Sequence, residues 1–150
     1  MMNLMNLFKK NEKVEFVIGL PPNFEWAKKH FPHIDKKTTI FSYGNKIYSP
    51  EPLPDHLWAH ELTHCKRQGY SESGAKKWWD KYVADLDFRY NEEVTAYREQ
   101  YKFFKERCKD RNKVFNFGRL LANELSSPLY GNLADFMTAH NHITDEKPWP

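Results

Sequence analysis

Cysteine is scarce in this chain of 150 residues: there are two, Cys65 and Cys108. Two thiols do not build a disulfide framework, so both are expected free and the compartment reducing. No apolar run reaches the length of a membrane span. The N-terminal "MMNLMNLFKKNEK" holds too few apolar residues before its lysines for a secretory h-region, so a cytoplasmic protein is expected. Charge of one sign is not concentrated anywhere. The formal net charge is +3 and the lysines and acids interleave, which indicates no nucleic-acid face. Repeats and low-complexity segments are absent as well.

Aromatic residues are abundant, with five Trp, eight Tyr and eleven Phe. Each carries much burial, so a compact core needs no covalent staple at this length. One domain over residues 1–150 is expected, with 1–12 and 144–150 as loose tails.

The alternating, β-branched run Val14 to Ile18 predicts a strand that breaks at Gly19 and two prolines. "NFEWAKKHF" has helical spacing, with Asn23 as candidate N-cap. "TTIFSYGNKIYSP" predicts strands over Thr38–Ser42 and Lys46–Ser49 about a Gly44-Asn45 turn. The first third is therefore β-α-β-β. Five helical patterns follow. "EPLPDHLWAHELTHCKRQG" starts on prolines and stops on a basic turn and Gly69. "SESGAKKWWDKYVADL" carries Trp79, Tyr82, Val83 and Leu86 on one stripe, and "NEEVTAYREQYKFFKERC" carries Val94, Tyr97, Tyr101, Phe104 and Cys108 on another. "VFNFGRLLANELSSP" stops at Pro128, and "GNLADFMTAHNHI" predicts a short last helix. The fold class is α+β: a small N-terminal sheet, then a mostly helical remainder.

The first of these helices carries chemistry. Residues four apart share a helix face, so His60 and His64 present two imidazoles to one point. Zinc takes such nitrogens in a tetrahedral shell, and Glu61 borders the same face without being needed as a ligand. This is the HExxH pattern, in which the glutamate is the general base toward a water on the metal. Chance yields the pattern about 0.03 times in a chain of this length and composition. Here it also falls within a helix whose Trp58, Leu62 and Cys65 can face the core.

A catalytic zinc needs a third ligand and one open position. No histidine lies between His64 and His140. Glu93 does lie there, followed by Ala96 and Tyr97; a small residue one turn on lets two helices approach one ion. Glu93 is the expected third ligand, and Glu92 is expected to be a solvated residue near a helix N-terminus.

"HELTH" followed some thirty residues later by "EVTAY" resembles the gluzincin metallopeptidases. "HELTHCKRQG", "WWDKYVADLDFR", "EVTAYREQ" and "LANELSSPLYG" are together similar to short metallopeptidases encoded by phages and prophages. The resemblance spans about Leu53 to Ile143. It implies a zincin-like minimal domain in which His60, His64 and Glu93 bind one Zn2+ per chain and Glu61 is the base. It also implies a peptide or protein substrate, and host cytoplasm if the gene is a phage's. Thermolysin-like gluzincins have an aspartate one turn after the ligand glutamate, orienting a zinc-bound histidine. That position here is Tyr97, which leaves Asp55 and Asp80 as candidates for the task.

Tyr130, His140 and His142 are candidate donors to an oxyanion, though surface or packing roles suit each. "HNH" at 140–142 is too short to indicate a nuclease. Cys65 and Cys108 are expected in the core, and Trp78 and Trp79 in packing. The hairpin edge is a candidate for adding an extended peptide as a further strand. The competing expectation is a non-catalytic, zinc-stabilised binding module, such as a phage structural or host-takeover protein, in which Glu61 has no chemical role.

Overall fold

A computed structural model describes residues 13–150; the expected N-terminal tail, 1–12, lies outside the described residues. Three strands form one sheet: β1 (Glu15–Ile18), β2 (Phe41–Tyr43) and β3 (Lys46–Ser49). The order is β1-β3-β2, with β1 parallel and β2 antiparallel to β3. Helix α1 (Phe24–His30) joins β1 to β2. The fold is thus mixed α+β and mostly helical, as the sequence implies.

Strand alternation gives the sheet two unlike faces. Phe16 pairs with Ile47 and Ser42 pairs with Ile47, so these three share one face. Ile47 there packs with Trp58 and Cys65 of α2 (Asp55–Arg67). Phe41 and Tyr48 lie on the opposite face, where Phe41 joins Phe24, Trp78, Trp79 and Tyr82 in the aromatic core. The hairpin turns at Gly44, with φ +65°, and a Cβ there would stand 2.8 Å from the Ser71 backbone. Glycine is required on both counts.

Strand β2 begins later than Thr38. Thr38 and Thr39 donate backbone N–H groups to Asp35 O, and the Thr39 hydroxyl accepts from Asp35 N, so this segment curls on itself. Asn23 stands before α1 but makes no cap bond.

Helix α2 follows Pro54 and ends at Gln68, before Gly69 at φ +71°. Helix α3 (Glu72–Ala84) is capped by Ser71 Oγ, which accepts from Gly74 N. Helix α4 (Leu86–Arg107) begins earlier than "NEEV", because Asp85 caps it by accepting from Phe88 N. Leu86 therefore opens α4, 56% exposed, instead of extending the α3 stripe. Helices α5 (Arg111–Leu125) and α6 (Phe136–Thr144) are capped by Asp110 and Asp135. Helix α5 closes at Ser126, and Pro128 starts a separate 3-10 turn, Pro128–Tyr130.

Val94 and Tyr97 of α4 pack with Leu121, Leu125 and Ile143 in a second core. Ala96, fully buried, is the small side chain expected on this helix. Both thiols are free; Cys65 is in the core as expected, but Cys108 ends α4 half-buried. Beyond α6 the chain lies against α4 and α6: Arg98, which also donates to the His142 carbonyl within α6, donates to the Lys147 carbonyl, Lys105 pairs with Glu146, and Trp149 packs on His142. Among the described residues no helix is long and apolar enough to cross a membrane.

Candidate metal centre

Helix α2 buries three polar side chains together, His60, Glu61 and His64. Burying such groups is costly unless something satisfies them. Helix α4 brings Glu93 to the same point. Glu93 Oε2 lies 3.3 Å from His60 Nε2, Glu93 Oε1 lies 3.2 Å from His64 Nε2, and the two Nε2 atoms are 3.2 Å apart. Ligand atoms each roughly 2.0–2.1 Å from a tetrahedral zinc stand about 3.3–3.4 Å from one another. The two Nε2 atoms and the two Glu93 oxygens stand close to that spacing, each oxygen facing a different histidine. Glu93 Oε2 is buried without a hydrogen-bond partner, so an acceptor faces inward where a cation would satisfy it. The donor set of two imidazoles and a carboxylate suits zinc. Among the described residues no fourth His, Cys, Asp or Glu joins the group.

Each donor is held from outside. Gln100 Oε1 accepts from His60 Nδ1 at 2.9 Å, and Gln100 Nε2 lies 2.8 Å from His56 Nδ1. The partner of the first histidine is thus Gln100, not Asp55 or Asp80. The Tyr82 hydroxyl donates to Glu93 Oε1 at 2.9 Å. Tyr97 sets its ring against His60 and Trp78 against His64. His64 Nδ1 is buried without a partner. Ser42, on the sheet face toward α2, donates its hydroxyl to Glu61 Oε2 at 2.6 Å.

The electrostatics follow from burial against partners. Desolvation pushes the Glu93 carboxyl up, but His64 and His60 outweigh it and hold the group well below the usual carboxylate range. Burial works against the His60 imidazolium, yet the adjacent Glu93 carboxylate raises its pKa. Burial first, then the Glu93 charge, keeps Tyr82 protonated far above neutrality. Burial pushes the Cys65 thiol up to about 12, so the cysteine beside His64 is no thiolate.

Glu92 is not solvated. Because α4 starts at Leu86, Glu92 lies in its second turn, 2% exposed. It accepts from Trp78 Nε1 at 2.6 Å and from Arg67 Nε at 2.6 Å. It thereby fixes the indole that packs on His64.

A cavity of about 570 Å3 opens onto His60, Glu61, His64 and Glu93. Its walls are mainly apolar, among them Phe31, Ile34, Phe41, Leu57 and Leu120. Tyr130 lines it, with its hydroxyl 2.7 Å from that of Tyr97. Arg89 holds this turn by donating to the carbonyls of Tyr130, Tyr82 and Val83. Burial first, then Glu93, keeps the Tyr130 phenol protonated. His142 is occupied elsewhere, bonded to the Tyr90 hydroxyl, and His140 stacks on Phe136. Trp78 and Trp79 pack as expected, and both also line the cavity. At Ser42 the sheet edge is taken, because Gln68 Nε2 and Trp79 Nε1 donate to its carbonyl. An added strand would find that acceptor occupied.

No motif in the sequence marks Gln100, Ser42 or Tyr82 as part of the site. Gln100 carried a usable signal: it lies seven residues after Glu93, two helical turns on the same face. Ser42 and Tyr82 carried none, since only tertiary packing brings them here. Comparison of the chain with known protein families, with curated proteins and with solved structures finds no match.

Proposed function

We propose that the protein is a zinc-dependent peptidase with a gluzincin-type site on a zincin-like minimal domain. One observation carries this: three convergent donors, without a fourth among the described residues, face a cavity that Glu61 also lines. A purely structural zinc site is a closed four-ligand shell and needs no acid beside it.

His60 Nε2, His64 Nε2 and Glu93 would hold the ion. When bound, zinc lowers the pKa of a coordinated water to roughly 7 and polarises a carbonyl. The Glu61 carboxylate takes the proton from the attacking water and delivers it to the leaving amine nitrogen. The Ser42 hydroxyl keeps that carboxylate in one orientation. The Tyr130 phenol donates to the developing oxyanion. The apolar walls exclude water and take a bulky apolar side chain, and about 570 Å3 is within the usual range of ligand sites. The peptide lies beside Thr38 to Ile40, which line the cavity. Two free thiols accord with the cytoplasm, a host's if the gene is a phage's.

The second reading, a non-catalytic zinc-stabilised binding module, draws on the burial of Glu61 and its bond to Ser42. Assay of the zinc-loaded protein on a peptide mixture, read by mass spectrometry, separates the two. New peptide termini that Glu61→Gln abolishes support the enzyme. Intact peptides throughout support the module.

A further inference from the structure

A neutral imidazole carries one N–H, and a nitrogen that binds metal must offer its lone pair. His60 turns Nε2 toward His64 and Glu93, so a metal held there requires the His60 proton on Nδ1. That N–H needs an acceptor, and the Gln100 carbonyl oxygen supplies it at 2.9 Å. Gln100 is 1% exposed, so water does not compete for its amide.

An amide has an acceptor end and a donor end. With Oε1 toward His60, the Nε2 end of Gln100 faces His56 Nδ1 at 2.8 Å. His56 must then accept there and carry its own proton on Nε2. Reversing the amide reverses everything. Its NH2 would face His60 Nδ1 and require a lone pair there. The His60 proton would move to Nε2, into the space shared with His64 and Glu93. His56 lies one turn before His60 on α2, its ring edge against Phe117 at 4.9 Å, and does not belong to the ligand group.

We propose that the Gln100 amide couples the tautomers of His60 and His56, so that a His56 accepting at Nδ1 favours the metal-binding tautomer of His60. His56 and Gln100 are positioning residues for the centre. This rests on the metal-binding part of the function above and is independent of any peptidase activity.

The test uses the full chain, zinc-free and labelled with 15N-histidine, at a pH where both imidazoles are neutral. Long-range 1H–15N spectra read the tautomers, and competition with a chromogenic chelator reads zinc affinity. In the wild type, His60 carries its proton on Nδ1 and His56 on Nε2. His56→Glu, which can only accept, keeps the His60 tautomer and holds zinc affinity within about threefold of wild type. His56→Lys, which can only donate, moves the His60 proton to Nε2, and Gln100→Leu removes the preference for Nδ1. Both variants weaken zinc binding by about 10–100-fold, the usual effect of losing such a partner.

A wild-type His60 protonated on Nε2 overturns the proposal, and so do equal effects of Glu and Lys at position 56. Weaker zinc binding in His56→Lys with an unchanged His60 tautomer is an effect of charge alone and overturns it too. Circular dichroism checks folding. If His56→Lys does not fold, the wild-type tautomers and Gln100→Leu decide. A wild type with the stated tautomers that binds no zinc sinks the metal reading and leaves the amide linkage standing.

Discussion

The Ser42 hydroxyl lies 2.6 Å from Glu61 Oε2 and 2.9 Å from the Glu61 carbonyl oxygen, so its single proton, shared between two acceptors and held most closely by the carboxylate, ties β2 to the residue beside the candidate ligands. Hydrogen bonds to charged groups contribute about 1.5–3 kcal/mol each. Ser42→Ala should therefore lower stability by about 1–3 kcal/mol in chemical denaturation. It should leave zinc content unchanged, because no ligand atom is touched. On a cleaved peptide it should lower kcat more than it raises KM, since the base loses its orientation and the cavity walls do not change.

Glu92 tests how α4 is placed. Its carboxylate is buried, while the Arg67 side chain is 44% exposed and can rehydrate when the pair is broken. Full buried-pair energetics therefore do not apply. What remains is the orphaned Trp78 Nε1 and the lost buried contacts. Glu92→Ala should cost about 1–3 kcal/mol of stability, and the chain should still bind zinc. An unchanged denaturation midpoint would return Glu92 to the solvated position that its neighbourhood in the sequence implied.

That misplacement shows which physics was legible. His60, Glu61 and His64 follow from helical periodicity alone, and the structure sets them on one buried face. Glu93 followed from the same periodicity together with Ala96 one turn on. Glu92 did not, because Asp85 looked like part of the preceding helix when it is in fact the cap that starts the next. Once α4 begins at Leu86, an acid in the second turn can be buried, and Arg67 and Trp78 are there to meet it. The Ser42 contact needed the strand register, in which Ser42 and Ile47 share the face toward α2. A pairing between distant segments leaves no local trace.

Metal content and stability should move together. The purified chain should hold about one zinc, because two imidazoles and one carboxylate form one site. His60→Ala, His64→Ala and Glu93→Ala should each reduce it strongly. Binding to the folded state alone stabilises by RT ln(1 + [L]/Kd), so free zinc at 100 times Kd should add about 2.7 kcal/mol. Calorimetry should show a lower Tm after chelation and recovery on adding zinc. A metal-free preparation that refuses added zinc would sink the centre.

Glu61→Gln separates hydrolysis from metal binding. The variant keeps the size of the side chain and can still meet Ser42, so neither the fold nor the triangle of His60, His64 and Glu93 should change. What it loses is a basic oxygen that can take a proton. Zinc content should match wild type, and stability should stay within about 1 kcal/mol, the net worth of one hydrogen bond. Activity should fall by about 10²–10⁴-fold, the usual contribution of general acid–base catalysis. The measurement needs a peptide that the wild type demonstrably cleaves and a zinc assay on the same preparation. Lost zinc would make Glu61 part of the metal shell and leave no base beside it. Retained zinc with undiminished cleavage would remove Glu61 as the base and turn attention to Glu124, which among the described residues is the remaining carboxylate lining the cavity besides Glu93.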